Sequence, residues 1–410
     1  MPASPSTARA INDRLALRLL QQEGPLTAGQ LKQLTGLSRP TVADLVERLT
    51  ASGLITVVGE AKAQRRGPNA RLYGIAADRA HLAALDVRTG GVTVAVADLL
   101  GRELAEAHVP IGGDTGTGDA VEHAVALVER AAEKAGVRRL HTVGMGAPGL
   151  VDPVTGELRN TTSLPEWHRR LVAALQERLP HARVTVENET NLAALAEQRD
   201  GAARDRDTFA LLWLGQGTGA AVVLDGTLRR GASGGTGEIG FLPVPGTGGL
   251  PSATDCAGGF HSLAGAAAVA ELAAEHGLPA KGDGREPAAA EQVRAAAAAE
   301  ESWSGGGPAA RFLDALADRV VLGVASVVAV LDPGCVVLGG EVGQAGGEAL
   351  AARVEERLAR LSPLPTQVRA SFLGGGAVLR GALLTARERV QSELLASSGP
   401  ATRPPRRAKG

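Results

Sequence analysis

Closely spaced glycines in the middle of the chain could bind a phosphate group. Gly215, Gly217 and Gly219 come directly after the apolar run 209–214, which predicts a buried strand that enters a tight loop. Because glycine has no Cβ, the backbone N–H groups of this loop can approach a phosphate closely. A second apolar segment predicts a strand that ends in a type I′ hairpin turn at Asp225-Gly226. Glycine-rich hairpins also occur in proteins that bind no phosphate, so this pattern alone leaves both interpretations open.

The stretch that follows is more specific. Residues 230–240 read RGASGGTGEIG and closely resemble the sugar-site signature of the ROK family, a group of repressors, open reading frames and sugar kinases. Members of that family are either sugar kinases or sugar-responsive repressors that carry an added DNA-binding domain. The resemblance covers residues 8–395 and includes a second match at residues 188–197. It implies an α/β fold, with an actin-like (ribonuclease H-type) two-lobed domain preceded by an α+β winged helix-turn-helix domain.

Length and charge agree with more than one unit. At 410 residues the chain is too long for one core and suggests two or three units. The first 80 residues contain eleven Lys and Arg against six Asp and Glu, a net charge of about +5, whereas the remainder is about −6. A small basic unit joined to an acidic body is typical of a DNA-binding module on a regulatory domain.

Cysteine content and hydropathy limit the class of protein further. Only Cys256 and Cys335 occur, which excludes a disulfide scaffold or a Cys-rich metal cluster and fits the cytoplasm. The N-terminus has no apolar signal core, and the longest apolar run, 320–331, is too short to span a bilayer. We therefore expect a soluble, cytoplasmic protein that does not bind membranes.

The basic first segment has the pattern of a helix-turn-helix. One helix should end before Gly24-Pro25, and a second should begin at Thr27, where Gln30 completes a capping box. Ser38 should cap a third helix with Pro40 in its first turn. The residues expected to face inward are Ile11, Leu15, Leu19 and Leu20 on the first helix, Leu31 and Leu34 on the second, and Val42, Leu45, Val46 and Leu49 on the third.

Two short strands at residues 54–58 and 72–75 should form a wing with an arginine-rich tip, which suits minor-groove or phosphate contact. The segment 8–76 also resembles the winged helix-turn-helix of ROK-family regulators. A three-helix unit that binds protein has the same helical pattern, but the basic wing favours double-stranded DNA. The predicted DNA contacts are Ser38, Arg39, Thr41, Asp44 and Arg48 on the third helix, and Arg65, Arg66 and Arg71 in the wing.

The resemblance also implies a nucleotide site, and here the chain departs from the family pattern. Actin-like kinases carry Asp-x-Gly-Gly-Thr after the first strand of the domain and bind phosphate and magnesium with it. This chain keeps Asp86, but Arg88 and Thr89 replace the glycines that allow close backbone approach, which argues against ordinary ATP binding. Gly339-Gly340, which the family has beside the adenosine, is also typical of a strand-to-helix turn, and the altered phosphate loop favours the turn. The expected remnants of the nucleotide loops are Asp86, Gly215, Gly217, Gly219, Gly339 and Gly340.

The implied sugar cleft is altered in the same way. Kinases of the family read Asn-Asp-x-Asn, with the Asp as the base that removes a proton from the sugar hydroxyl, and this chain has Glu189 at that position. One extra methylene moves the carboxylate by roughly an ångström, and misplacement on that scale can cost about a hundredfold in rate. Ser163 replaces a sugar-binding Asn, Phe241 replaces a His, and His261, which could bind a hydroxyl or cap a helix, aligns with a sugar-binding Glu. The expected ligand-binding residues are Gly146, Ser163, Asn188, Glu189, Glu238, Phe241 and His261.

A zinc site is usual in the family, built from a His at the end of the signature and three cysteines. With Phe241 at the His position and Cys256 the only cysteine in reach, a tetrahedral zinc site cannot be assembled. We therefore expect no metal, no cofactor and no catalytic residue.

These changes favour a transcriptional regulator of the repressor type over a bifunctional sugar kinase that also binds DNA. A regulator that responds to a phosphorylated sugar, another metabolite or a partner protein is a third possibility. The expected partners are a two-fold related DNA operator, a sugar or sugar-derived effector, and further copies of the chain in a homodimer or homotetramer.

The expected domain limits follow from these matches. Residues 1–7 and 396–410 should be disordered tails, residues 8–76 the DNA-binding domain and residues 77–81 a linker. Residues 82–395 should form the actin-like domain, with one lobe at 82–196 plus the C-terminal helix and the other at 197–376.

Overall fold

Three sheets divide the chain into successive parts. The computed structural model describes residues 5–61, 70–159, 164–252, 254–279, 287–302 and 306–397. A three-stranded sheet is followed by two five-stranded mixed sheets, and helices cover all three. The α/β fold class, with an α+β unit in front, is confirmed. Within the described ranges, no helix is both long and apolar enough to cross a membrane.

The N-terminal part is a helix-turn-helix with a wing. Its elements are α1 (Pro5–Gln22), β1 (Leu26–Thr27), α2 (Ala28–Thr35), α3 (Arg39–Ala51), β2 (Ile55–Ala61) and β3 (Ala70–Ile75), with the sheet order β1-β3-β2. The predicted capping box is present: the Gln30 backbone N–H donates to Thr27 Oγ1, and the Thr27 backbone N–H donates to Gln30 Oε1. Gly36 ends α2 in the left-handed region at φ 70°, and Ser38 caps α3. Local sequence therefore sets the geometry of the turn between α2 and α3.

The inward face of α1 differs from the prediction. The side chains of Ile11 and Leu15 are 54% and 37% exposed, whereas Leu17 and Leu20 are buried. The sequence of α1 allows two overlapping buried faces with helical spacing. In the structure, the face that packs inward includes Asp13, which pairs with Arg48 of α3. On α2, Leu31 is buried as expected but Leu34 is 51% exposed. The two-residue strand β1 was not predicted because it is too short to show periodicity.

Helices extend into both of the segments that were expected to be disordered tails, residues 1–7 and 396–410. Helix α1 begins at Pro5, inside the segment 1–7, and a proline is tolerated in the first turn because its missing N–H would be unpaired there. The last helix ends at Ser397, inside the segment 396–410, and residues 398–410 lie outside the described ranges.

The first lobe of the actin-like part follows without a long connection. After a 3-10 turn at Ala77–Arg79 come β4 (His81–Arg88), β5 (Gly91–Asp98), β6 (Glu103–Pro110), α4 (Thr117–Lys134), β7 (Thr142–Ala147), α5 (Glu166–Arg178), β8 (Arg183–Asn188) and α6 (Glu189–Asp200). The sheet order is β6-β5-β4-β7-β8, and β4, β7 and β8 run parallel. The C-terminal ends of these three strands therefore lie along one edge of the sheet.

The second lobe is built around a matching sheet of order β11-β10-β9-β12-β13. Its hairpin turn has positive φ at Asp225 (54°) and Gly226 (70°), as a type I′ turn requires. Its elements are β9 (Phe209–Leu214), β10 (Thr218–Leu224), β11 (Thr227–Arg229), α7 (His261–Ala264), α8 (Ala266–Glu275), α9 (Ala288–Ser302), α10 (Pro308–Leu331), β12 (Cys335–Gly339), α11 (Gly340–Leu361) and β13 (Gln367–Ala370).

The last helix, α12 (Ala377–Ser397), returns to the first lobe and connects all three parts. It packs on α6, β4 and β7, and Gly381 lies so close to Leu192 of α6 that a Cβ would overlap the Leu192 backbone. Farther along, Ala386 and Val390 share one buried cluster with Leu17 of α1 and with other residues of the N-terminal part. The N-terminal part is therefore packed against α12 as well as joined through residues 77–81.

Candidate functional site

The glycine loop lies between β9 and β10, as the sequence predicts. The backbone N–H of Gly215 donates to the carbonyl of Gly217 over 3.0 Å, which closes the turn. A Cβ on Gly215 would overlap Oε2 of Glu341, a residue in the first turn of α11. The loop is thus narrow, and a carboxylate already lies against it.

Arg88, at the end of β4, fills the space opposite this loop. Its guanidinium donates to both carboxylate oxygens of Asp86, over 2.6 and 3.0 Å, and to Oε1 of Glu341 over 2.8 Å. Its charged centre also lies 5.0 Å from the ring centroid of Trp213 on β9, within the range of a cation–π contact. Burial alone would lower the pKa of Arg88, but the charges of Asp86 and Glu341 outweigh that effect and raise it. The position expected to take phosphate therefore holds a permanently charged arginine and its carboxylate partners.

Gly339 and Gly340 form the strand-to-helix turn between β12 and α11. Gly340 has φ 77°, and a Cβ there would overlap the backbone of Leu214. The cavity beside this turn, bounded by Trp213, Glu341 and Gln344 among others, has a volume of about 40 Å³. Small-molecule pockets usually measure roughly 300 to 1,000 Å³. In this arrangement, the glycines serve the close packing of the turn, and the space beside them is smaller than a typical small-molecule pocket.

Asn188 and Glu189 stand where β8 leads into α6. The side-chain oxygen of Asn188 caps the helix by accepting from the backbone N–H groups of Thr190 and Asn191, over 2.9 and 3.2 Å. Its amide nitrogen donates to the Gly149 carbonyl over 3.1 Å and to Glu189 Oε2 over 2.9 Å. Asn188 thus fixes both the start of α6 and the carboxylate beside it.

The protonation of Glu189 is set by its surroundings. Burial raises its pKa from 4.5 to about 7, and the nearby guanidinium of Arg88 opposes the shift. The carboxylates of Asp86 and Glu238 also raise its pKa, which indicates that residues from three elements meet in one electrostatic environment. Near neutral pH, the carboxyl group of Glu189 can therefore accept or donate a hydrogen bond.

The glycine-rich signature forms another wall of the cleft. Gly237, with φ 89°, lies so close to β10 that a Cβ would overlap the carbonyl oxygen of Ala220. This close approach presents Glu238, whose side chain reaches solvent and whose pKa is raised by partial desolvation. Phe241 ends the following 3-10 turn and is 38% exposed. Glu238 is consequently available to a ligand from the open side of the cleft.

His261 begins α7 and packs next to the signature. Its Nδ1 lies 3.4 Å from Thr218 Oγ1, and burial lowers its pKa, so the ring is neutral at pH 7. Among the described residues, no side chain makes a capping hydrogen bond at the start of α7. His261 therefore does not cap α7 in this structure, and its contact with a ligand hydroxyl stays a prediction.

Two further ligand-binding predictions fall on a buried residue and on a residue outside the described ranges. Gly146 is buried in β7, where a Cβ would overlap the side chains of Val378 and Leu192. Its small size serves the packing of α12 on the sheet, and its contact with a ligand stays a prediction. Ser163 lies outside the described residues.

An ion pair that sequence reasoning missed connects the two lobes beside the glycine-rich signature. Nε of Arg230, just after β11, donates to Oε2 of Glu187 at the end of β8 over 2.6 Å. The other carboxylate oxygen of Glu187 accepts from the side-chain amide of Asn191 over 3.0 Å. The sequence could have pointed to Arg230, because it is the first residue of the signature. Its partner Glu187 lies 43 positions away in sequence, so the pair itself was not predictable.

The predicted DNA-binding residues fall into four groups. Arg39 and Asp44 are exposed on α3, and Arg71 is exposed on β3, whereas Ser38 and Thr41 bond to each other at the helix start. The guanidinium of Arg48 donates to both oxygens of Asp13 on α1, over 2.6 and 3.3 Å, and pairs with Asp44 as well. It therefore links α1 to α3, and a contact with bases would require it to leave these partners. Arg65 and Arg66 lie outside the described residues.

The cysteines lie in different surroundings. Cys256 is partly exposed in the loop before α7, and Cys335 is buried in β12. Across the described ranges, no group of three or more His, Cys, Asp or Glu could hold a metal ion.

Comparison with known proteins identifies relatives of both parts. The model of the ROK family matches residues 83–389, and the model of the MarR family matches residues 11–67. The chain is 29% identical over 245 residues to the DNA-binding transcriptional dual regulator NagC of Escherichia coli strain K12, and the match covers 58% of each chain. It is 33% identical over 268 residues to the bifunctional enzyme NanE/NanK of Brucella suis, covering 63% of this chain and 44% of the relative. The chain thus spans about half the length of these curated relatives.

Solved structures share the fold. A ROK family transcriptional regulator described as a homologue of the E. coli MLC protein superposes with a TM-score of 0.75 at 21% identity, over 95% of this chain and 98% of that one. A ROK family glucokinase from Streptomyces griseus, in complex with glucose and AMPPNP, superposes with a TM-score of 0.62 at 27% identity, over 75% of this chain and 99% of that one. The family model covers most of the chain, and the protein belongs to the ROK family.

Proposed function

We propose that the protein is a DNA-binding transcriptional regulator whose actin-like domain binds a sugar or sugar-derived effector without phosphorylating it. The observation that carries this proposal is the combination of a winged helix-turn-helix with a phosphate position that is filled by Arg88 and Glu341. The repressor type is the form we favour.

DNA binding is assigned to residues 8–76. The exposed Arg39 near the start of α3 is available to base edges, since the N-terminal residues of a recognition helix lie deepest in the major groove. Arg71 on β3, and Arg65 and Arg66 in the sequence between β2 and β3, are proposed to supply charge for the phosphate backbone. A homodimer or homotetramer would present two such units to a two-fold related operator in the cytoplasm.

Effector binding is assigned to the cleft within residues 82–395. Asn188, Glu189 and Glu238 supply amide and carboxylate groups from two walls, and hydroxyl groups of a sugar suit such donors and acceptors. His261 could add a neutral ring nitrogen. A ligand that contacts both walls favours the closed arrangement by its differential affinity.

Coupling between the two parts is assigned to α12. The helix α6, which begins at the effector cleft, packs on α12, and the later residues of α12 pack on α1 of the DNA-binding part. A shift of α6 on effector binding would therefore move α12 and change the spacing of the two recognition helices in a dimer. Because half-site spacing on DNA is fixed, a changed spacing weakens operator binding.

A bifunctional sugar kinase is the second candidate, favoured by the similarity to kinases such as the S. griseus glucokinase. Against it stand the filled phosphate position and the longer side chain of Glu189 where the family has Asp. The third candidate is a regulator that responds to a phosphorylated sugar, another metabolite or a partner protein. It would keep the DNA-binding function proposed here but would not respond to a free sugar.

The test is selection of bound sites from a random duplex library with the full chain, followed by a screen of sugars for release of the selected site. We expect enrichment of a two-fold related sequence and release by at least one sugar. If no sequence is enriched, the DNA-binding assignment is wrong. If a site is enriched but no sugar releases it, the effector assignment is wrong.

A further inference from the structure

The contacts of Arg88 join the two lobes. Asp86 and Arg88 lie on β4 of the first lobe, whereas Glu341 begins α11 and Trp213 lies near the end of β9, both in the second lobe. The guanidinium therefore bonds a carboxylate on each side of the cleft and lies over a ring of the second lobe. One charged side chain therefore bridges the lobes on the nucleotide side, beside the buried apolar cluster that Leu192 of α6 shares with Leu211 of β9.

Glu341 is oriented by more than Arg88. Its Oε1 accepts from Arg88, and its Oε2 is buried against Gly215 with no hydrogen-bond partner among the described residues. Leaving a buried carboxylate oxygen unpaired is unfavourable unless the second oxygen and the net charge are compensated. Arg88 supplies that compensation, so Glu341 and Arg88 depend on each other.

We propose that Arg88 is an internal latch that holds the two lobes together on the nucleotide side without any bound nucleotide. Bidentate pairing with Asp86 leaves Nη1 of Arg88 pointing across the cleft, so the bond to Glu341 needs little further ordering of the side chain. Lobe movement is then confined to the opposite side, where Arg230 and Glu187 form a second ion-pair bridge between the lobes. The latch acts as a pivot, and the sugar side opens and closes about it.

The test is the distance between the lobes, measured by double electron–electron resonance on the full chain without ligand. Spin labels are attached through Ala173→Cys on α5 and Ala359→Cys on α11, which are exposed positions in different lobes, with Cys256→Ser to remove the accessible native thiol. Labelled chains are diluted with unlabelled chains so that distances within one copy dominate. Arg88→Ala should lengthen and broaden the distance distribution, with a mean shift above about 2 Å, the scale of domain rearrangements.

Glu341→Ala provides a second variant for the case that Arg88→Ala does not fold. It removes the acceptor of Arg88 Nη1 and should produce the same lengthening, and combining the two substitutions should add nothing further, because both break one bridge. The matched control is Arg102→Ala, which breaks an arginine–aspartate pair with Asp98 inside the first lobe and should leave the distance unchanged. An unchanged distance in either latch variant, or an equal shift in the control, overturns the proposal. Neither result depends on DNA or on an effector, so failure here leaves the proposed function standing.

Discussion

Replacing Glu189 with Gln tests how the cleft controls the protonation of its central carboxyl group. Burial raises the pKa of Glu189 from 4.5 to about 7, with the charge of Arg88 acting in the opposite direction. An acid whose pKa is raised by folding binds its proton more tightly in the folded state. Its contribution to stability is fully present below pH 4.5 and is lost as the pH rises through 7.

The magnitude follows from the size of the shift. One pKa unit corresponds to about 1.4 kcal/mol, so the folded parent should lose about 2 to 3 kcal/mol between pH 4.5 and pH 8 through this group, with some reduction from solvent in the cleft. A Gln side chain keeps an oxygen that can accept from Asn188, as Glu189 Oε2 does over 2.9 Å, but it cannot ionise. Glu189→Gln should therefore match the parent at pH 5 and be more stable at pH 8.

Thermal unfolding at pH 5 and pH 8 measures this difference. At about 2 °C per kcal/mol for a protein of this size, the Tm of Glu189→Gln should exceed that of the parent by roughly 4 °C or more at pH 8 and by little at pH 5. Glu348→Gln, the same chemical change at an exposed position of α11, is the matched control and should show no such gap. If the gap for Glu189→Gln is the same at both pH values, burial does not set the protonation of this carboxyl group.

Three further predictions concern catalysis and the DNA-binding part. With ATP and the sugar that releases the operator, the rate of ADP formation should stay far below about one turnover per second, an ordinary enzyme rate. The reason is that Arg88 and Glu341 occupy the position expected to take phosphate. A coupled assay that reaches that rate would support the bifunctional kinase. Arg39→Ala should lose discrimination between operator and mismatched sites. Arg66→Ala should weaken binding to all sequences and reduce the slope of log K against log salt concentration by about one. Unchanged operator preference in Arg39→Ala would mean that α3 is not the recognition helix. Arg48→Ala should lower the free energy of unfolding by about 2 to 3 kcal/mol, because it leaves the buried Asp13 unpaired. Arg39→Ala, the control, should change the free energy of unfolding by less than about 0.5 kcal/mol. Equal changes in the Tm of the two variants would contradict the link between α1 and α3.

Local sequence was enough wherever a few neighbouring residues decide the geometry. The caps at Thr27 and Ser38 and the turn at Asp225 depend on residues within three positions, and all three were predicted. The inward face of α1 was not predictable in the same way, since packing had to choose between two stripes that share one helical period.

Contacts between distant residues were beyond sequence reasoning. Arg88 was recognised as a departure from the family loop, but its partner Glu341 lies 253 positions away. From the sequence, the replacement of glycine by Arg88 indicated only a lost phosphate contact. In the structure, Arg88 and Glu341 form a bridge between the two lobes. The packing role of Gly146 was missed for a related reason: its neighbour Val378 comes from α12, and only the folded chain shows that packing requires the small residue.

The most direct test of the sensing mechanism is an operator titration that compares the parent with Glu238→Ala, with and without the releasing sugar. Fluorescence anisotropy of the selected operator gives the Kd in each case. Glu238 lies in the cleft and not in the DNA-binding part, so the substitution should leave the Kd without sugar unchanged.

With sugar, the parent should release the operator, and Glu238→Ala should need a higher sugar concentration or release less DNA, because a ligand contact is lost. Release by Glu238→Ala with the same sugar affinity and the same amplitude as the parent would contradict the account, because the cleft between the lobes would then not be where the effector binds.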